Sequence, residues 1–152
     1  MIEIEYLANV PYYLPVIVDW AFREWHRDEG SRKRVLIDYR ARLSRDRIPM
    51  TLIAVDDGTP VGTVSLKLDE LPSRPDLFPW LGSLFVVPGH RGRGIGRRLV
   101  SQAESIARDS GVGMLFLITE TMGPVYEREG WHCIGEEPYR GNKSIWVYGK
   151  NL

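Results

Sequence analysis

The chain of 152 residues predicts a mixed α/β fold in a single domain spanning 1–152, and three stretches carry that prediction. In the first, an apolar run at 80–87 stops at Pro88, crosses an Arg/Gly-alternating loop and restarts as a helical pattern over 94–110. That pattern is followed by a second apolar run at 113–119. Strand, helix and strand in that order form a β–α–β unit with parallel strands. In the second, β-branched runs at 50–56 and 60–69 flank Asp57-Gly58, a strong hairpin signal. In the third, Leu14, Ile17, Val18, Ala21, Phe22 and Trp25 recur at helical spacing.

The remaining elements follow in chain order. Ile2, Ile4 and Tyr6 alternate with Glu3 and Glu5, which predicts a half-exposed first strand over 2–7. Asn9 and Pro11 supply helix-start chemistry for the first helix, which is expected to end near Gly30. Ser31 can cap a second helix over 32–46 with Leu36, Tyr39 and Leu43 as its inner stripe. Pro72, Pro75 and Pro79 mark 70–79 as a loop. The helix over 94–110 buries Ile95, Leu99, Ala103 and Ile106 and stops at Ser110-Gly111. A short helix over 124–129 ends at Gly130, and strands near 131–137 and 144–149 complete the order.

Composition narrows the function. Lys+Arg and Asp+Glu are 20 each, and zero net charge argues against a nucleic-acid or anionic-membrane partner. A single cysteine, Cys133, allows no internal disulfide, and three scattered histidines lack ligand spacing, so no metal site is expected. There is no basic-then-apolar leader and no apolar run near the ~18 residues that span a bilayer, so a cytoplasmic location is expected.

The loop is the most informative segment. Gly92, Gly94 and Gly96 let backbone lie close to a ligand, and a helix N-terminus adds the positive end of its dipole, so phosphate is the natural guest. Two familiar phosphate loops fail by register. A dinucleotide fingerprint needs glycine where Arg97 stands, and a P-loop needs lysine where Ile95 stands.

Arg91-Gly92-Arg93-Gly94-Ile95-Gly96 after a strand, together with Pro124-Val125-Tyr126-Glu127-Arg128-Glu129-Gly130-Trp131, closely resembles the signature of the GCN5-related N-acetyltransferase (GNAT) family. The element order agrees along the whole chain. The resemblance implies an α/β (α+β) acyl-CoA N-acyltransferase fold: a mixed, mostly antiparallel sheet with a central parallel pair and about four helices. It implies acetyl-CoA as cosubstrate, with Arg91, Gly92, Arg93, Gly94, Ile95, Gly96 and Arg97 on the pyrophosphate. It also implies that the parallel strands splay at their C-terminal ends, so that pantetheine lies along the backbone of Phe85, Val86 and Val87. Thr119 stands where relatives often carry an asparagine that contacts the cofactor, and a homodimer is compatible with the family.

The implied reaction is acetyl transfer to a primary amine of a small molecule or peptide N-terminus by direct attack. An alkylamine with pKa ~10.4 is neutral only about once in a few thousand molecules at pH 7, so a base or a desolvating channel must help. The departing thiolate needs a proton, which Tyr126, at the family's tyrosine position, is expected to give as the catalytic acid. Many relatives carry a base glutamate on the strand before the loop. Here that position is Gly82, beside Ser83; the nearby Asp69, Glu70 and Glu120 could act as a base through water, but they read more readily as solvated acids. Trp25-His26-Arg27-Asp28-Glu29 and Asp69, Glu70, Asp76, Phe78 and Trp80 combine aromatic and acidic groups able to receive a cationic amine. The missing strand glutamate keeps open a non-catalytic acyl-CoA sensor. A phosphate-backbone binder built on Arg91, Arg93, Arg97 and Arg98 would require steeply salt-dependent affinity for DNA or RNA.

Overall fold

The computed structural model describes residues 1–27, 31–121 and 124–152. Its strands are β1 (Ile2–Tyr6), β2 (Met50–Asp56), β3 (Thr59–Lys67), β4 (Trp80–Val86), β5 (Met114–Thr119), β6 (His132–Tyr139) and β7 (Lys143–Asn151). Its α-helices are α1 (Leu14–Trp25), α2 (Arg32–Arg40), α3 (Ile95–Asp109) and α4 (Pro124–Arg128). The strands form one sheet in the order β1-β2-β3-β4-β5-β7-β6. Every neighbouring pair is antiparallel except β4 and β5, which are parallel.

The continuous apolar character of β2 follows from burial on both faces of the sheet. Met50, Leu52 and Ala54 pack with Ile95, Leu99 and Ala103 of α3, while Ile53 between them packs with Ile17, Val18 and Ala21 of α1. At the β2–β3 turn, Asp57 (φ 48°) and Gly58 (φ 85°) both take the left-handed conformation that a two-residue hairpin of this hand demands. The buried hydroxyls of β2 and β3 are satisfied, whereas Trp80 Nε1 on β4 and the Tyr148 hydroxyl on β7 are buried without a partner among the described residues. Thr51 and Ser65 hydroxyls lie 2.8 Å apart, and the Thr63 hydroxyl donates to the Leu52 carbonyl at 2.8 Å.

Three expectations need correction. Two 3-10 turns, Leu7–Asn9 and Pro11–Tyr13, precede α1, because the Asn9 side chain bonds to Glu5 at 2.8 Å instead of capping the helix. The helix stops at Trp25, and the expected stop at Gly30 falls outside the described residues. Ser31 does cap α2 by accepting from the Arg34 N–H, yet α2 ends at Arg40 and not at 46. There the bonds tighten to Arg42 N–H→Tyr39 and Leu43 N–H→Arg40, while the Arg42 guanidinium folds back over the Tyr39 ring, 4.5 Å from its centroid. The buried stripe of α2 is consequently Val35 and Tyr39, with Leu36 and Leu43 at its margin.

Candidate active site

The loop after β4 is held by its own side chains. Ile95 is buried in the core beside Leu99 and fixes the start of α3, while Gly92 (φ 81°) and Gly94 (φ 78°) turn the chain into it through left-handed backbone. The first helical bond of α3 runs from Arg98 N–H to Gly94 C=O, and no side chain caps the helix. Among the described residues, the N–H groups from Gly92 to Arg97 therefore have no backbone acceptor. A run of unpaired donors at the positive end of a 15-residue helix suits an anion.

Arg91 does not project from this cradle. Its Nε donates to the Val86 carbonyl at 2.8 Å, and its guanidinium lies 5.5 Å from the Phe85 ring centroid. Arg97 pairs with Glu129 at 2.6 Å on the surface, and Arg93 is exposed. His90 is half-buried with Nε2 3.5 Å from the Asp56 carboxylate.

The parallel pair diverges immediately. β4 and β5 are in register only at Trp80↔Phe116, so their C-terminal ends leave a gap. Val87 N–H donates to the Val61 carbonyl at 2.9 Å. By the alternation of an antiparallel ladder, Val86, opposite Gly62, turns its N–H and C=O away from β3 and toward that gap.

Two recesses meet at this point. A groove of about 450 Å³ is lined by Phe85, Val86, Arg91, Gly92, Gly94, Ile95 and Gly96. A cavity of about 1120 Å³ is lined by Trp25, Glu70, Gly82, Thr119 and Tyr126 among others. They share Glu24, Trp25 and Leu84. Of the residues expected at the cofactor, Val87, Arg93 and Arg97 lie outside the groove. Thr119 faces the cavity with its hydroxyl engaged locally, donating to the Thr121 carbonyl at 3.1 Å. Tyr126, on α4, is half-buried with its ring 5.7 Å from that of Tyr148, and its hydroxyl makes no hydrogen bond among the described residues.

Of the residues expected to receive an amine, Trp25, His26, Asp69 and Glu70 line the cavity, whereas Asp76, Phe78 and Trp80 do not. Trp80 is fully buried against Phe116 because the inward face of β4 takes it into the core. Asp76 is tied to Arg74, and Asp28 and Glu29 fall outside the described residues. Glu70 is not a solvated acid. Its Oε2 lies 2.7 Å from Lys67 Nζ, and the two side chains are only 18 % and 12 % exposed. The cavity also holds Tyr39, read from spacing as core, together with Arg42 and Lys67, which composition and spacing did not single out. The traceable signal was the small Gly82-Ser83 pair within an otherwise bulky strand.

Burial holds the Lys67 ammonium below its ordinary value of 10.5, with Glu70 opposing and nearby Arg42 adding to the drop. Below that ordinary value, the unfolded chain binds more protons than the folded one, so Lys67's contribution to stability rises with pH there. Tyr39, whose burial raises its phenol above 10.0, adds the opposite slope only above that pH. As the pH rises toward about 10, the melting temperature of the wild type should therefore climb relative to Lys67→Met. A flat or falling difference in thermal melts would contradict this.

With this geometry in view, comparison with known proteins is informative. Residues 14–130 match the acetyltransferase (GNAT) family, and the chain belongs to it. Over 65 residues it is 42% identical to a streptothricin acetyltransferase of Streptomyces lavendulae, a match covering 39% of this chain and 34% of that protein. The chain thus spans about a third of that relative's length. The fold is shared with a GNAT-family acetyltransferase from Streptococcus pneumoniae (TM-score 0.74, 18% identity, all of both chains). It is also shared with an aminoglycoside 6'-N-acetyltransferase complexed with coenzyme A (TM-score 0.75, 18% identity, 99% of this chain and 96% of that one).

Proposed function

We propose that this protein transfers acetyl from acetyl-CoA to a primary amine of a small molecule or peptide N-terminus, by direct attack within a ternary complex. The observation that carries the reading is the meeting of the two recesses where β4 and β5 part. The groove ends on unpaired backbone donors suited to a pyrophosphate, and the cavity beyond it is rimmed with carboxylates. Pyrophosphate would rest on the N–H groups of Gly92 to Arg97, and the pantetheine arm would lie along Phe85 and Val86. The cosubstrate supplies the activated acyl carbon, and the Val86 N–H polarises its carbonyl. Tyr126 gives its phenolic proton to the departing sulfur.

Glu24, Asp38, Asp69, Glu70 and Glu120 against Arg42, Lys67 and Arg140 give the cavity an acidic surplus, which favours a cationic acceptor. The relatives named for streptothricin and for aminoglycosides point to the same class of polyamine. The test is a panel of streptothricin, an aminoglycoside, spermidine and amino-acid amides with acetyl-CoA, read out by thiol release. Turnover of at least one amine is expected; binding of acetyl-CoA with no turnover of any would leave a sensor instead. Arg91→Ala should raise KM for acetyl-CoA roughly tenfold, by releasing the Val86 carbonyl and uncovering Phe85, with a smaller effect on kcat. An unchanged KM would remove Arg91 from cofactor binding.

A further inference from the structure

We propose that the Glu70 carboxylate is the base that deprotonates the acceptor amine, held at the cavity wall by Lys67 and admitted there by the missing side chain of Gly82. The proposal rests on the acetyl-transfer reading above. Glu70 lies beyond the end of β3, three residues after Lys67, in a loop that sequence reasoning assigned to solvent. The fold brings it instead over β4. A Cβ built on Gly82 would collide with Glu70 Oε2 and stand 2.7 Å from Lys67 Cε. The carboxylate thus fills the space that a side chain on β4 would otherwise occupy, facing the same cavity as Tyr126.

Three further observations agree. Lys67 Nζ engages Oε2, while Oε1 makes no hydrogen bond or ion pair among the described residues and is free to accept a proton. The backbone beneath is irregular, since the β3–β4 register shifts between Thr63 and Ser65, and Ser83 is held at φ 53°. Its hydroxyl accepts from Lys67 Nζ at 3.2 Å, completing the support of the pair. A bulge and a strained non-glycine residue beside an enclosed ion pair cost stability, and such costs collect at functional sites. The competing acids are less suited. Glu24, Asp69 and Glu120 are exposed, and Asp38 is 3.5 Å from Arg34. The charged and titratable groups around Glu70 are Lys67 and Asp69 on its own segment, Tyr39 on α2 and Arg42 just beyond its end, with Glu24, His26, Asp38, Glu120, Tyr126 and Arg140 elsewhere on the cavity lining.

The step balances as follows. The alkylammonium gives one proton to Glu70 Oε1, and the freed nitrogen lone pair forms the C–N bond at the acetyl carbon. The C–S bond breaks, the sulfur takes the Tyr126 phenolic proton, and the nitrogen's second proton returns to the phenolate. Glu70 then releases its proton to water. Lys67 acts through Glu70 and is a positioning residue.

The experiment measures kcat/KM against pH for wild type, Glu70→Gln, Lys67→Met and Lys67→Arg, with spermidine, an aminoglycoside and glycinamide as acceptors. Calorimetric binding of coenzyme A and thermal melts are run on each variant. Glu70→Gln should lose about 10²- to 10⁴-fold near neutral pH while binding coenzyme A as the wild type does. Its residual rate should rise about tenfold per pH unit and approach the wild type as the pH nears the acceptor amine's own pKa, ~10.4 for an alkylamine such as spermidine and about 8 for the α-amine of glycinamide. Lys67→Met should lose kcat more than KM, with Lys67→Arg restoring it. Glu70→Gln that keeps the wild-type rate and pH profile, with the fold intact, overturns the proposal alone. If Glu70→Gln fails to fold, the decision passes to Lys67→Met, whose unchanged kcat overturns it. A wild type that binds coenzyme A but acetylates none of the amines overturns the acetyl-transfer reading, and the base with it.

Discussion

Replacing Tyr126 by Phe should lower kcat about 10²-fold while leaving KM for acetyl-CoA and the melting temperature nearly unchanged. The ring stays, so its packing against Tyr148 at 5.7 Å survives, and a half-buried position of this kind tolerates loss of a hydroxyl that has no partner. What disappears is the proton donor facing the cavity. The split between kcat and stability is the decisive readout. A purely structural tyrosine would move the melting temperature and leave kcat alone, and that outcome would end its role as the acid.

Gly82→Val is the second large effect and acts by a different route. Valine suits a strand, so local propensity is not the obstacle. The new side chain would occupy the position of the Glu70 carboxylate and press on the Lys67 stem. Ejecting the carboxylate leaves an enclosed ammonium without its counter-charge, which costs about 3 kcal/mol, or roughly 10 °C in Tm for a chain of this length. Activity should fall as far as it does in Glu70→Gln. Adding Lys67→Ala and Glu70→Ala to Gly82→Val should restore most of the stability and none of the activity, because the collision and the orphaned charge are both gone while the carboxylate is still missing. Stability that stays low in the triple variant would place the fault in β4 itself.

Which features were legible in the sequence depends on how local their causes are. The loop was readable because the left-handed glycines, the buried Ile95 and the uncapped start of α3 are properties of consecutive residues. The β2–β3 hairpin was readable for the same reason, through Asp57 and Gly58. The end of α2 was not, since it depends on Arg42 folding onto Tyr39 and reaching Ser65 on another element. Glu70 was misread as solvated because its enclosure is set by register. Pairing Ser65 with Gly82 and Lys67 with Trp80 brings a vacancy on β4 beneath a residue twelve positions earlier in the chain. Trp80, read as a candidate for the amine pocket, was lost to the core by the same pairing.

The donors from Gly92 to Arg97 belong to the main chain, whereas the cavity beside them is built from side chains such as Trp25, Tyr39 and Glu70. Main-chain donors survive almost any substitution that respects the two left-handed glycines, while each cavity side chain can be exchanged singly. On the proposed reading, heritable variation in this chain can therefore accumulate on the acceptor wall without disturbing the handle for the acyl donor. Laboratory selection for a new amine would find most of its productive changes on α1, α2 and the loop after β3.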